Sequence, residues 1–271
     1  MFDRELENRK IEKYSKIKNY FKTINYDKHG VPYLSRENIE TITEQFLHIY
    51  YPILLRTPQS TPLLKITKSL VENSKLNIDF SRSLGTGRNE RILGKTIFNQ
   101  KLILLDKSLT PEDPQFYFVL AHELGHVFLH TKRKIIDDHK KYVNFSKDKA
   151  KHFFIKPHTD MSVRNKIEWQ ANAFSAAVLM PRNTFKQALI KIQKELGINR
   201  NVGIIYLDNN DYSKGMFNNI IHRLSNLYHC SFPAIKYRLN NLNLVVDISK
   251  SKPSYFNLGN ILDQIIKENT I

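Results

Sequence analysis

Residues 110–130, TPEDPQFYFVLAHELGHVFLH, contain the pattern that decides the fold of this chain. Apolar side chains recur three and four positions apart along this stretch, which predicts a single amphipathic helix. Thr110 is the expected N-cap, Pro111 suits the first helical position, and Asp113 places a negative charge in the first turn. Beyond that first turn the stretch carries a single carboxylate, so we expect the helix to be buried.

The same stretch contains the pattern His-Glu-x-x-His at His122, Glu123 and His126. Two histidines four residues apart leave the same face of a helix, so both imidazoles can bind one metal ion. Glu123 follows the first histidine directly and can act on a water molecule at the metal without being a ligand itself. The alternative is a helix with two surface histidines and a solvated glutamate. The uncharged surroundings favour a buried zinc site.

A second predicted helix, from Ser162 to the residue before Pro181, offers a third ligand. Its many alanines allow two helices to pack closely, and Glu168 lies at the start of the alanine-rich part. Catalytic zinc commonly has two histidines, one glutamate and water as its ligands. Asn172, one turn later, could orient a ligand. Glu168 could instead be an ordinary surface carboxylate. The ligands expected for one zinc ion per chain are His122, His126 and Glu168.

Other histidines are weaker candidates. His130 does not fit the longer metzincin pattern, because it follows His126 by four residues and no glycine precedes it at the required position. His139, His152 and His158 lie in a polar stretch and are expected to be solvated. If Glu168 is not the third ligand, one of these four histidines becomes the next candidate.

Composition narrows the class of protein. The chain has 271 residues, of which 41% are hydrophobic and 25% charged, as in soluble globular proteins. Its first residues are too charged for a signal peptide, and no apolar run approaches the roughly 20 residues that cross a bilayer. The single cysteine, Cys230, excludes an intramolecular disulfide and a cysteine-rich zinc site. We therefore expect a cytoplasmic protein without a membrane partner.

The net charge of +16 has two interpretations. It could attract nucleic acid or an acidic protein surface. The lysines and arginines are scattered, however, with only short clusters such as residues 132–134. We favour a generally basic surface, so charge alone does not predict DNA binding.

The chain before residue 110 reads as helices followed by short strands. Residues 1–25 are predicted to be helical. The next helix begins at Ser35 and ends before Pro52, and a further helix runs from Thr61 to about residue 74. The strands are expected at residues 76–80, 91–98 and 101–105, with a loop at 85–89 and a turn at 99–100. The last two strands either line a cleft, where an extended substrate could pair with an edge, or only support the metal helix.

Beyond Pro181 the sequence predicts a helix to about residue 196, a strand at 203–207 and helices at 217–227 and 231–242. The last two resemble a helix-turn-helix. Lys236 and Arg238 could then contact DNA. We favour a helical pair that packs on the core or docks a substrate, because the second helix is largely apolar. Its apolar residues are Ile235, Leu239 and Leu242.

Two motifs together, AHELGHVFLH at 121–130 and EWQANAFSAAVLMP at 168–181, resemble the ImmA/IrrE family of metallopeptidases. The resemblance covers roughly residues 35–247. It implies an α+β, zincin-like fold with a small antiparallel sheet and helical additions at both ends. It also implies a cytoplasmic enzyme whose protein substrate is, in some members, a transcriptional repressor. By position, the implied zinc ligands are His122, His126 and Glu168, and the implied catalytic residue is Glu123.

The chain departs from the family pattern in two respects. Residues 127–167, the 41 residues between the second histidine and the candidate glutamate, form an unusually long connection and suggest a specialised loop over the cleft. Many relatives also carry an N-terminal DNA-binding motif that we do not find. The predicted division is an N-terminal helical extension (1–34), a zincin-like peptidase core (35–182), a C-terminal helix-turn-helix-like region (183–250) and a tail (251–271).

The sequence therefore predicts a zinc-dependent endopeptidase that cleaves a protein partner such as a DNA-binding repressor. One alternative is a non-catalytic, zinc-containing regulator that binds DNA or a repressor through its C-terminal helices. Another is an amidase or other metallohydrolase. Glu123 favours an enzyme, because a structural zinc site has no use for that carboxylate. Three residues could stabilise an oxyanion, judged only by the chemistry of their side chains. They are Tyr206, His222 and Tyr237.

Overall fold

The computed structural model describes residues 24–74, 76–87, 90–130 and 162–248. The features predicted within 1–23, 131–161 and 249–271 lie outside the described residues. The described helices are α1 (Arg36–Tyr50), α2 (Leu63–Ser74), α3 (Pro114–Leu129), α4 (Val163–Leu179), α5 (Arg182–Glu195), α6 (Asp211–Tyr228) and α7 (Phe232–Asn241). The described strands are β1 (Asn77–Asp79), β2 (Thr86–Gly87), β3 (Glu90–Arg91), β4 (Gly94–Ile97), β5 (Leu102–Leu105), β6 (Ile205–Leu207) and β7 (Val245–Asp247). This mixture of helices and small sheets confirms the predicted α+β, zincin-like fold.

Helices α3 and α4 pack closely against each other at the centre of the molecule. A Cβ atom added at Gly125 of α3 would lie 3.1 Å from the Cα atom of Ala171 in α4. Farther along, the Ser175 hydroxyl donates to the carbonyl oxygen of Phe118 over 2.9 Å. Small residues on both helices therefore permit the close approach, as the alanine-rich sequence predicts, and this approach brings the two metal-binding motifs together.

Helix α3 begins three residues later than predicted. Asp113 is its N-cap, with a side-chain oxygen that accepts from the Gln115 backbone N–H over 2.8 Å, and Pro114 is the first helical residue. Thr110 lies in the preceding turn, where its carbonyl oxygen accepts from the Asp113 N–H over 2.9 Å. The sequence offers a cap followed by proline twice, at Thr110 and at Asp113, and the second pair begins the helix. For α4 the predicted cap, Ser162, is confirmed.

The main sheet has three strands in the order β1–β5–β4. The predicted hairpin is confirmed, because β4 and β5 pair antiparallel from Gly94 opposite Leu105 to Ile97 opposite Leu102. Strand β1 pairs parallel with β5, so the sheet is mixed rather than purely antiparallel. The loop predicted at 85–89 includes β2, which pairs antiparallel with β3. Strand β4 forms one edge of the described sheet and packs against α3, so it borders the centre of the molecule.

The C-terminal helices pack onto the core, α6 against α5 and α7 against α4. Arg238 is fully buried, and its guanidinium group donates to both carboxylate oxygens of Glu40 in α1. It also donates to the carbonyl oxygen of Met180 over 2.8 Å and to Oδ1 of Asn241 over 3.1 Å. The ion pair ties α7 to α1, and the hydrogen bond to Met180 ties α7 to the end of α4. Arg238 is therefore not available to contact DNA. The four-part division of the chain stays a prediction.

None of the helices within the described parts of the chain combines the length and the apolar character that crossing a membrane requires.

Candidate metal centre

The three side chains predicted as metal ligands meet between α3 and α4. The Nε2 atom of His122 lies 3.0 Å from Nε2 of His126 and 3.2 Å from Oε2 of Glu168. The Nε2 atom of His126 lies 3.9 Å from Oε1 of Glu168. Tetrahedral zinc with bonds of about 2.05 Å places its ligand atoms about 3.3 Å apart. The three separations fit such an ion, and this is the group that could hold a metal among the described residues.

A hydrogen bond to a residue of α4 fixes the ring orientation of His122. Its Nδ1 atom lies 2.8 Å from Oδ1 of Asn172, an amide oxygen that can only accept a hydrogen bond. In the neutral ring, Nδ1 therefore carries the proton and Nε2 directs its lone pair at the other ligand atoms. Asn172 thus makes the contact with a ligand that the sequence predicts.

The site favours a positive charge at the point where these atoms meet. Burial is the largest influence on the pKa of His122 and acts to lower it, but Glu168, Glu123 and Asn172 together outweigh burial, so the pKa is raised above the ordinary value. Both histidines are buried, whereas Glu168 is partly exposed to solvent. A proton on His122 or a bound cation can supply the positive charge, and the donor set of two imidazoles and one carboxylate suits zinc.

Glu123 lies on α3 next to these three residues and is held by the edge strand β4. Its Oε2 atom accepts from the Thr96 hydroxyl over 2.6 Å. Its Oε1 atom is buried without a hydrogen-bond partner among the described residues. Oε1 lies against Gly94, where an added Cβ atom would be 2.6 Å from it. Strand β4 therefore anchors one carboxylate oxygen of Glu123 and leaves space for the other.

The environment of Glu123 shifts its proton affinity toward neutral pH. Burial raises the pKa of this carboxyl group to about 7, and the neighbouring Glu168 charge acts in the same direction. The charge on His122 and the hydrogen bond from Thr96 oppose that shift. A general base works best when its pKa is near the operating pH, so Glu123 suits proton transfer near neutrality.

His130 stands behind His126, on the side away from Glu168. Its Nδ1 atom lies 3.1 Å from Nδ1 of His126, and its Nε2 atom lies 2.9 Å from Oε1 of Gln170. The structure therefore does not place His130 with the ligand atoms. His139, His152 and His158, the other reserve candidates, lie outside the described residues.

The residues suggested by type for oxyanion stabilisation lie elsewhere. Tyr237 is buried in α7, and burial raises the pKa of its hydroxyl group. Tyr206 lies on β6 and is 49% exposed, and His222 contacts the ring of Phe232. None of the contacts described for these three side chains joins them to the group formed by His122, His126 and Glu168.

Sequence reasoning missed the contributions of Gly94, Thr96 and Gln170 and considered His130 only as a ligand. Thr96 is 27 residues from Glu123 in the sequence, so no local spacing indicates their contact. The one sequence feature that could have indicated these β4 contacts was the position of the hairpin directly before the helix that carries Glu123. The single thiol, Cys230, offers no competing chemistry, because it is buried and burial raises its pKa to about 12.

Comparison with protein families agrees with this geometry. The family model described as the IrrE N-terminal-like domain of Peptidase M78 matches residues 74–240. The matched range is more than half of the chain and contains both α3 and α4. No curated protein matches the chain.

Proposed function

This chain belongs to the Peptidase M78 (ImmA/IrrE) family, and we propose that it is a zinc-dependent endopeptidase that cleaves a protein partner in the cytoplasm. One observation carries the proposal. Acceptor atoms of His122, His126 and Glu168 converge within 3.0–3.9 Å, and the carboxylate of Glu123 lies beside them, held at one oxygen. A purely structural zinc site would not need that fourth side chain.

The roles of the individual residues follow from their contacts. His122, His126 and Glu168 would hold one zinc ion per chain, with Asn172 orienting His122. The bound zinc would supply Lewis acidity that lowers the pKa of a water molecule toward about 7 and polarises the scissile carbonyl group. Glu123 would accept the proton from that water at Oε1 and then donate it to the leaving amine. Thr96 keeps Oε2 occupied and so directs the proton to Oε1.

The edge strand supports a peptide substrate over a small amide. Strand β4 pairs with β5 on one side and forms the outer edge of the described three-stranded sheet. The same strand carries Gly94 and Thr96, which contact Glu123. An extended chain paired with the outer edge of β4 would therefore lie beside the candidate general base. This arrangement favours a peptidase over an amidase.

A DNA-binding repressor is the substrate class that we propose, on the resemblance to the ImmA/IrrE family. Direct DNA binding by this chain is not favoured, because Arg238, one of the two basic residues that could contact DNA, is buried in an ion pair. We expect only weak, salt-sensitive DNA binding. A gel-shift titration that finds nanomolar, sequence-selective binding at physiological salt would contradict this preference.

Two measurements test the proposed function. Elemental analysis should find one zinc per chain, and His122→Ala or His126→Ala should remove most of it. Glu168→Gln should also weaken zinc retention, because a neutral amide is a poorer ligand than a carboxylate. The exposed Glu195 allows a matched control, Glu195→Gln, which should retain the metal. Full zinc content in both histidine variants would rule out this site, and unchanged retention in Glu168→Gln would place the third ligand elsewhere.

The second measurement concerns cleavage. The purified protein is incubated with the product of a neighbouring repressor gene, with and without a chelator. We expect cleavage that the chelator abolishes and added zinc restores. Tight binding of the repressor by the zinc-loaded protein without cleavage would instead support the non-catalytic regulator.

A further inference from the structure

We propose that His130 and Gln170 are positioning residues that fix the tautomer and ring orientation of His126. They do so through a hydrogen-bond relay that ends at the main-chain carbonyl group of Pro32. This inference rests on the proposed zinc site. It gives a role to two side chains and a segment of backbone to which neither the motifs nor the family match assigns one.

The relay consists of three consecutive contacts. Nδ1 of His126 lies 3.1 Å from Nδ1 of His130, and Nε2 of His130 lies 2.9 Å from Oε1 of Gln170. Nε2 of Gln170 then donates to the carbonyl oxygen of Pro32 over 2.7 Å. His126 and His130 are fully buried and Gln170 is 3% exposed, so bulk water cannot replace these contacts.

The direction of every hydrogen bond in the relay is fixed by its last member. The Pro32 carbonyl oxygen can only accept, so the amide nitrogen of Gln170 must face it and the amide oxygen must face His130. That oxygen accepts from Nε2–H of His130, which leaves Nδ1 of the neutral ring as an acceptor. His126 must therefore donate from Nδ1–H. Its Nε2 atom keeps a lone pair, and this is the atom that faces Glu168.

The backbone that ends the relay is itself held in place. Asp27 accepts with its carboxylate from the backbone N–H groups of His29 and Val31, over 2.8 Å and 3.0 Å. Val31 is buried and packs with Ile167 of α4. Pro32 forms a β-bridge with Tyr26 across the same turn. The acceptor is therefore part of an ordered turn fixed to the helix that carries Gln170.

The two histidine ligands are oriented by different means. His122 is oriented at Nδ1 by Asn172, which is on the same helix as Glu168. His126 depends on the relay, which leaves α4 and ends at Pro32, ahead of the matched range of residues 74–240. The ligand geometry at His126 therefore depends on a turn that precedes the matched domain.

Zinc affinity provides the first test. Gln170→Leu removes the amide group that bonds to both His130 and Pro32, and His130→Phe removes the imidazole that contacts His126. The matched control is Gln193→Leu, because Gln193 is also buried and bonds through both ends of its amide, to Gly203 and Ile204, away from the zinc site. Loss of the contacts that orient a metal ligand typically lowers metal affinity about 10- to 100-fold.

We therefore expect the zinc dissociation constants of Gln170→Leu and His130→Phe to rise by that factor, measured by competition with a chromophoric chelator on the full-length chain. Gln193→Leu should bind zinc as the wild type does, even if its thermal stability falls. Equal zinc affinity in Gln170→Leu and Gln193→Leu would overturn the proposal.

The second readout does not need metal. With ¹⁵N-labelled histidine in the metal-free, full-length chain at alkaline pH, His126 should be protonated on Nδ1 and His130 on Nε2. Signal loss in His130→Phe assigns His130, and Gln170→Leu should convert its signal to a mixture of tautomers. A wild-type His126 protonated on Nε2 would overturn the relay. If the wild type binds no zinc, the proposed function fails, while the tautomer measurement still decides the relay.

Discussion

Two buried polar clusters flank helix α4, and they differ in how their charges are satisfied. Just beyond its C-terminal end, Arg238 pairs with Glu40, and every guanidinium nitrogen has an acceptor. Near its N-terminal end, acceptor atoms of His122, His126 and Glu168 face one another, and Oε1 of Glu123 has no hydrogen-bond partner among the described residues. The first cluster is complete within the protein, whereas the second gains from a ligand that carries positive charge.

The difference separates a structural use of buried charge from a chemical one. A buried ion pair whose hydrogen bonds are all made holds elements together, and removal of one partner leaves a costly unpaired charge. A buried cluster with a perturbed pKa and an unsatisfied acceptor atom is the arrangement found at functional sites. Variants of the cluster around Glu123 should change activity without changing stability. Variants of the Arg238–Glu40 pair should change stability without changing metal binding.

The largest expected effect is on the activity of the cluster formed by His122, His126, Glu168 and Glu123. Glu123→Gln should lower the cleavage rate about 100- to 10,000-fold, because an amide cannot accept the proton from water. Zinc content, and the thermal melting of the zinc-loaded proteins, should match those of the wild type, because Glu123 is not among the converging ligand atoms. A cleavage assay, elemental analysis and a melting curve on the same preparation measure all three. Wild-type cleavage by this variant would contradict the proposed mechanism.

Substitutions in the Arg238–Glu40 ion pair should instead change the stability of the protein. Arg238→Met should lower the free energy of unfolding by about 3–5 kcal/mol, because it leaves Glu40 buried and unpaired. Arg223→Met is the matched control, since Arg223 forms an exposed pair with Glu195 that should contribute only about 0–1 kcal/mol. Denaturant unfolding measures both variants.

The double variant Arg238→Met with Glu40→Leu removes both charges, so it should recover part of the lost stability. Equal losses from Arg238→Met and Arg223→Met would show that burial does not distinguish the two ion pairs.

The pKa of Glu123 predicts that metal-free protein loses stability as the pH rises from 5 to 7. Burial raises this pKa from the ordinary 4.5 to about 7, so the folded state holds the proton more tightly than the unfolded state. The stabilising contribution is complete below the unfolded pKa and is lost as the pH rises through the folded pKa. It amounts to about 2 kcal/mol between the two pH values.

Glu123→Gln lacks this proton, so its stability should decline less over the same interval. The raised pKa of His122 contributes a decline of the same sign to both proteins. Denaturant unfolding with a chelator at pH 5 and pH 7 gives the comparison. Equal declines in the two proteins would contradict a raised pKa at Glu123.

The smallest effect should come from the hydroxyl that anchors Glu123. Thr96→Val removes a hydrogen bond to a carboxylate, a contact worth about 1.5–3 kcal/mol, and should slow cleavage by roughly tenfold or more. Since this bond lowers the pKa of Glu123, the acidic limb of the pH–rate profile should move to higher pH. Thr96→Ser should restore both properties. Thr43→Val is the control, because the Thr43 hydroxyl is buried and donates to carbonyl oxygens of its own helix, α1. An unshifted acidic limb in Thr96→Val would show that Thr96 does not tune Glu123.

The sequence alone determined the features that depend on local geometry. The four-residue spacing of His122 and His126 placed both rings on one face, because helical side chains repeat every 3.6 residues. Ser162 identified the start of α4 because a cap bonds to backbone a few residues away. The small residues of α4 predicted a close helix pair, and the family motifs added Glu168 as the third candidate ligand.

Only the tertiary structure decided the features that join distant parts of the chain. Asp113 rather than Thr110 caps α3, although both precede a proline, so the local signal was ambiguous. Thr96 reaches Glu123 from an edge strand. Arg238, which the sequence suggested as a possible DNA contact, lies in an ion pair with Glu40 of α1. The relay from His126 to Pro32 joins the metal site to a turn far away in the sequence. Such contacts depend on how elements pack, and helical or strand periodicity carries no information about that packing.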